Sequence, residues 1–287
     1  MVAKIRSAFS VAMTEYVKWI TNPRIIIVGI LLIFIWTLAI SPLQERALSY
    51  GESLNIFEPF IATGNSGILV MLIPSVYLIL LSDYPVISRN TMLIISRTGR
   101  APFFIGHLLF IAMTIVTYLG VLLLFSCIIT GGAISAEWSD VVTKYESVFP
   151  AEAGNFTSQL LPSNLYNQIP MTSALFHTTV LLALYLYLIV MIIYLFKMLH
   201  LRSAGLYTAV SVIAIGTATC SLNIPIMWAF PMANTIIWLH YTEILREPIY
   251  PIWCTYLYFG VLCTAITVAN IIVARKMSLS NTDPEEE

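Results

Sequence analysis

Six long apolar runs, joined by short and more polar connections, constrain this chain more than any other feature. They cover residues 25–41, 60–81, 103–129, 173–199, 204–224 and 251–274. A helix needs roughly 20 mostly apolar residues to cross the ~30 Å hydrocarbon core of a bilayer. Each run is of that order. Only 10% of the 287 residues are charged, against about 25% in soluble domains, and the mean hydropathy is +0.86. The expected fold is an all-α polytopic membrane protein. One transmembrane domain, residues 1–278, is followed by a disordered acidic tail, 279–287.

The basic residues set an orientation, because lysine and arginine collect on the cytoplasmic side. With the N-terminus inside, Lys4, Arg6, Lys18, Arg24, Arg89, Arg97, Arg100, Lys197, Arg202, Arg275 and Lys276 lie inside. Arg46, Lys144 and Arg246 lie outside, so 11 against 3 accounts for all 14. Trp36, Trp138, Trp228, Trp238 and Trp253 then fall near or beyond the outer interface, and Trp19 at the inner one. The expectation is a multi-pass protein of the cytoplasmic (inner) membrane with both termini in the cytoplasm.

Two segments fall outside the six-span pattern. Residues 225–241, PIMWAFPMANTIIWLHY, are apolar but follow the fifth run almost without a loop, and Pro231 interrupts them. A seventh span would place Arg275 and Lys276 outside. The segment reads as an outer re-entrant hairpin, which must pack on protein or line a cavity to satisfy its backbone. Near the N-terminus, Ile5, Phe9, Ala12, Met13, Tyr16 and Ile20 recur at helical spacing, opposite Lys4, Glu15 and Lys18. Residues 1–22 therefore read as an amphipathic helix on the inner leaflet. The alternative, a secretory signal, would carry a charged region of 24 residues, longer than such signals have.

The stretch SDYPVISRNTMLIISRTGR, residues 82–100, is charged where its neighbours are oily. Pro85 suits a first helical turn. Gly99 and Pro102 suit an end. Ile87, Ile94 and Ile95 share one side at helical spacing, and Arg89 and Arg97 share another. The alternative is a solvated loop carrying positive-inside charge. Taken with the order of the other elements, the stretch resembles the permease family of type-2 ABC exporters. Members have an N-terminal surface helix, two spans, a short cytoplasmic coupling helix, four more spans and an outer hairpin after the fifth. The residues that carry the likeness are Arg89, Ser96-Arg97, Arg100 and Gly106-His107. Members often carry an acidic residue and Gly-Thr soon after the first arginine, where this chain has Asn90-Thr91-Met92.

The resemblance implies a division of labour. The chain carries no G-x-x-x-x-G-K-[ST] loop to cradle phosphate, so it is expected not to be an enzyme. ATP and Mg would sit on a separate ATP-binding subunit, with no cofactor in this chain. The helix at 84–98 would dock on that subunit, with Ile87, Arg89, Ile94, Arg97 and Arg100 as coupling residues. A second permease copy, the same or different, and membrane lipids would be the other partners; no nucleic acid is expected.

Aromatic and methionine side chains can hold varied apolar cargo. Candidate cargo-path residues are Pro74, Tyr77, Tyr187, Met227, Trp228 and Phe230; ordinary helix packing is the alternative. Nine acids lie outside, Glu45, Glu52, Glu58, Glu137, Asp140, Glu146, Glu152, Glu243 and Glu247, against three basic residues. Such a field concentrates cations and suggests an amphipathic, peptide-like, cationic cargo. Cys127, Cys220, Cys254 and Cys263 show no metal-ligand spacing and read as packing residues. Gly64-Asn65-Ser66-Gly67 is similar to the nucleophile motif of intramembrane serine proteases, with His177 or His240 as the base; close helix packing is the alternative. A secondary transporter or channel is a further alternative, but it calls for an acidic relay inside the spans, and none of the six runs holds one mid-span.

Overall fold

The computed structural model describes residues 2–85, 95, 98–152, 154–242 and 248–276. The expected coupling residues Ile87, Arg89, Ile94 and Arg97, most of the helix expected at 84–98, and the acidic tail lie outside the described residues. The chain is all-helical. The order is α1 (Val2–Ile20), α2 (Pro23–Tyr50), α3 (Glu58–Asn65), α4 (Gly67–Leu81), α5 (Arg100–Thr130), α6 (Met171–Met198), α7 (Arg202–Ser221), α8 (Pro231–Thr235) and α9 (Ile252–Lys276). Short helical turns lie between α5 and α6 and around α8. Among the described residues, five helices are long and apolar enough to cross a membrane, or six if the bent pair α3–α4 counts as one span.

Helix α6 is the central post. Its buried side chains, from Ala174 and Thr178 to Ile193 and Tyr194, point all round it. It contacts α3, α4, α5, α7, α8 and α9. A helix apolar on every face belongs inside a bundle. One apolar cluster joins α1, α2, α4 and α5 to α6. A second joins α6 to α7, α8, α9 and the 139–170 connection.

Three expected boundaries differ. The first run, expected to stop at residue 41 before Pro42, does not end there. A five-residue π-helical stretch, Trp36–Ile40, precedes the proline, and the helix continues to Tyr50 before Gly51 stops it at φ 84°. Proline lacks an N–H and crowds the carbonyl four residues back; a widened turn absorbs both. The second span is not one helix, because α3 and α4 meet at 83° across Ser66. Pro102, expected to close the preceding helix, lies in the first turn of α5. That helix runs 31 residues, about 46 Å at 1.5 Å per residue, so it outreaches the ~30 Å hydrocarbon core.

Helix α1 packs one side on the bundle and leaves most of its expected lipid-facing row exposed. Ala8, Val11, Ala12 and Trp19 are buried. Of the apolar row expected to face lipid, Ile5, Phe9, Met13 and Ile20 are exposed while Ala12 and Tyr16 turn inward. The helix lies along the early part of α5. A Cβ on Gly106 would sit 2.8 Å from the Ala8 carbonyl oxygen and from Val11 Cβ. Further along, the Tyr16 hydroxyl meets Thr117 Oγ1 at 2.8 Å. The side carrying Ala8, Val11 and Ala12 is therefore covered by a neighbouring helix.

Candidate functional site

Two regions carry the residues singled out in the sequence: the basic end of the bundle and the polar seam behind the hairpin. At the basic end, the connection from α4 to α5 is tied at both sides. Arg24, which opens α2 behind the Asn22 cap, pairs with Asp83 at 2.5 Å and bonds Ser82 Oγ at 3.0 Å. Both charges are partly exposed, so their worth lies more in position than in energy. On the other side, Ile95 is buried against Val11 of α1 and Phe103 of α5. Gly99, at φ 85°, donates its N–H to the Ile95 carbonyl and starts α5. Arg100, the one expected coupling residue among those described, bonds the Arg275 carbonyl at 2.6 Å. A cation at the end of a helix satisfies carbonyls that have no partner within it, so Arg100 straps the last turn of α9 to the start of α5.

The cargo-path candidates lie at three separate contacts. Pro74 and Tyr77 are buried in α4, and Tyr77 lies where it meets α5. The Tyr77 hydroxyl bonds Thr114 at 2.8 Å, and Tyr118 donates to the Ile73 carbonyl at 2.9 Å. Tyr187 is half-buried on α6 and bonds Thr267 of α9 at 2.7 Å. Met227, Trp228 and Phe230 lie on the hairpin. Trp228 stacks on Tyr250 at 4.4 Å, and Phe230 packs on Gly216 of α7.

The hairpin at 225–241 folds back onto the bundle, with Pro231–Ile237 wholly buried. Asn65, at the break between α3 and α4, holds it there. Its side-chain oxygen accepts from the Ile237 N–H at 2.8 Å, and its carbonyl accepts from the Trp238 indole at 2.9 Å. Its amide donates to the Ile61 carbonyl and to Thr178 of α6. Deeper in the seam, His240 meets Thr255 at 2.8 Å, Thr255 donates to Asn234, and Asn234 donates to the Trp228 and Phe230 carbonyls. Burial without partners would cost about 1–3 kcal/mol per group. Here the irregular backbone is matched instead.

The Gly64-Asn65-Ser66-Gly67 stretch thus sits where backbones cross closely. His177 bonds Tyr256 at 2.7 Å, and His240 bonds Thr255 and the Ile236 carbonyl. A further set of contacts escaped the sequence reading. Along α6 and α9, His177–Tyr256, Leu184 carbonyl–Cys263, Tyr187–Thr267 and Met191 carbonyl–Asn270 form a parallel polar ladder. Its only sequence signal is the recurrence of polar residues at 256, 263, 267 and 270 inside an apolar run.

At the other end from Arg100, the connections at 51–57 and 131–170 form a cap. Glu58, counted above among the outer acids, is fully buried. It accepts from Asn55 N–H, Ser139 N–H and Ser139 Oγ at 2.6–2.9 Å. Arg46 is buried under Tyr145, with its guanidinium 4.7 Å from the ring centre, and it bonds Ser158 at 2.8 Å. Tyr145 in turn donates to Glu152 at 2.8 Å. Burial pushes the Tyr145 hydroxyl above its ordinary value and the Glu152 bond adds to that, so it stays a donor. Two of the nine outer acids are therefore structural ties. No protein-family model, curated protein or solved structure matches the chain.

Proposed function

We propose that this chain is the permease subunit of an ATP-driven ABC exporter. It would move an amphipathic or peptide-like cargo across the cytoplasmic membrane, with both termini inside. ATP and Mg would be held by a separate ATP-binding subunit, and a second permease copy would complete the pathway.

The observation that carries this reading is the double anchoring of the 82–100 connection. Arg24–Asp83 ties its start to α2. Ile95 ties it to α1 and α5, and Arg100 ties its end to α9. A displacement applied to such a connection passes to four helices at once, as a coupling element between a motor and a bundle requires. On this reading Ile87, Arg89, Ile94 and Arg97 meet the motor, while Arg100 passes its stroke to α9. The hairpin and the bent α3–α4 pair then form the outer gate. Asn65 would be its pivot, and Trp228 and Phe230 would face the cargo.

The test is purification of the tagged chain from its native membrane in mild detergent. A Walker-motif ATPase should co-purify and be identified by mass spectrometry. Arg89→Asp and Ile94→Asp should each abolish that association while leaving the permease folded. Association that survives both substitutions, or transport by the chain reconstituted alone, overturns the reading.

A further inference from the structure

At the basic end, where α5 meets the ends of α4 and α6, polar atoms are buried without a hydrogen-bond partner among the described residues. They are both ring nitrogens of His107 and the hydroxyls of Tyr84 and Tyr194. The three side chains are 3%, 7% and 1% exposed. Their rings form a triangle with centres 5.1, 5.6 and 6.4 Å apart. Phe103 sets its edge against His107 at 4.2 Å, and Phe110 lies 4.3 Å from Tyr84. Deeper in the same bundle, the hydroxyls of Tyr77 and Tyr118 are both bonded. Buried polar groups in native proteins are satisfied by protein or by ordered water, so four unmatched atoms in one cluster call for a ligand.

A cavity opens beside this cluster. Of the three cluster members only Tyr194 lines it, together with Ile95, Arg100, Phe103, Phe104, Met198 and Ala274, and it leaves about 20 Å³ open to the centre of a water molecule. One water needs roughly 10–15 Å³ on that measure and two to four polar partners. A phosphate or an organic molecule is larger than the space. Water both donates and accepts, so it can meet a phenol and either nitrogen of a neutral imidazole.

We propose that the His107–Tyr84–Tyr194 cluster is a water-binding site, with ordered water hydrogen-bonded to Tyr194 and His107 and tying α6 to α5 beside Tyr84. The site stands independently of the transport reading. Its members come from the three elements that meet where the 82–100 connection enters and leaves the bundle. The bound water is therefore part of the joint, and its loss loosens α6 from α5 behind Tyr84.

The test is X-ray radiolytic footprinting of the full-length protein in detergent and H₂¹⁸O, read by mass spectrometry. Trapped water gives Tyr194 and Phe104 an ¹⁸O label several-fold above that of the buried controls Tyr77 and Tyr118. Labelling equal to the controls overturns the site. The sign of a stability change gives a second reading. If Tyr194 holds water, Tyr194→Phe lowers the melting temperature, by about 2–4 °C. If its hydroxyl is unpartnered, the same substitution removes a desolvated group and raises it. A rise overturns the proposal whatever the label shows.

Discussion

Gly64 of α3 presses so closely on Thr178 of α6 that a Cβ at position 64 would lie 2.2 Å from the threonine Cγ2. The same threonine uses its hydroxyl to accept from Asn65. One side chain thus requires glycine at one position and serves the asparagine at the next. This contact places the α3–α4 bend against the central helix.

Gly64→Ala should destabilise the protein by about 1–3 kcal/mol, the usual cost of overpacking. Thr178→Ser removes the clashing methyl and keeps the hydroxyl. The double variant should recover most of the loss in thermal unfolding. Additive losses would show that the contact is not what excludes a side chain at position 64.

Asn65→Ala leaves the Ile237 N–H buried without its acceptor. The expected cost is about 1–3 kcal/mol. The loss should appear locally as faster amide exchange across residues 231–240. The cap at 131–170 should keep its protection, because its ties run through Glu58, Asn55 and Arg46 instead.

The α6–α9 ladder predicts small, independent contributions. Tyr187→Phe and Tyr256→Phe each remove one interhelical bond, worth about 0.6 kcal/mol in a membrane bundle. The two bonds reach α9 at Tyr256 and Thr267, eleven positions and about three turns apart. Their effects on unfolding should therefore add.

Arg100→Ala should leave global stability within about 2 °C, because the guanidinium is exposed. It should, however, speed amide exchange in the last turn of α9, residues 272–276, by freeing the Arg275 carbonyl. If the 82–100 connection carries the stroke of a motor, the same variant should also uncouple ATP hydrolysis from transport without dissociating the ATPase.

Gly132→Ala should unseat the cap at 131–170. A Cβ there would lie 2.0 Å from the Leu54 carbonyl oxygen, which accepts from the Ala133 N–H in the bridge between the two connections. The expected result is proteolysis within 131–170 at protease levels that leave the parent chain intact. Equal resistance would mean that the bridge is dispensable.

What could be read from residues alone was whatever depends on local composition and period. The apolar runs at 103–129, 173–199, 204–224 and 251–274 became α5, α6, α7 and α9 within a few residues. Length and hydropathy act on each segment separately, so no partner need be known. Gly51 and Gly99 could take positive φ for the same local reason.

Tertiary structure decided everything that needed two segments at once. Pro42 reads as a stop until the π-helical stretch before it is seen to absorb the ring. The row Ile5, Phe9, Met13, Ile20 reads as a lipid-facing side and is exposed, but only the packed chain sets Ala8 and Val11 against Gly106, because small residues let two backbones approach. Asn65 and Glu58 look like a weak polar patch and a surface acid in the sequence. They are buried ties because the atoms that satisfy them come from residues 81 to 173 positions away. The sequence by itself determined which segments are oily enough to leave water. Only the packed structure decided which polar atoms could go with them, because a buried hydrogen bond needs both partners in place.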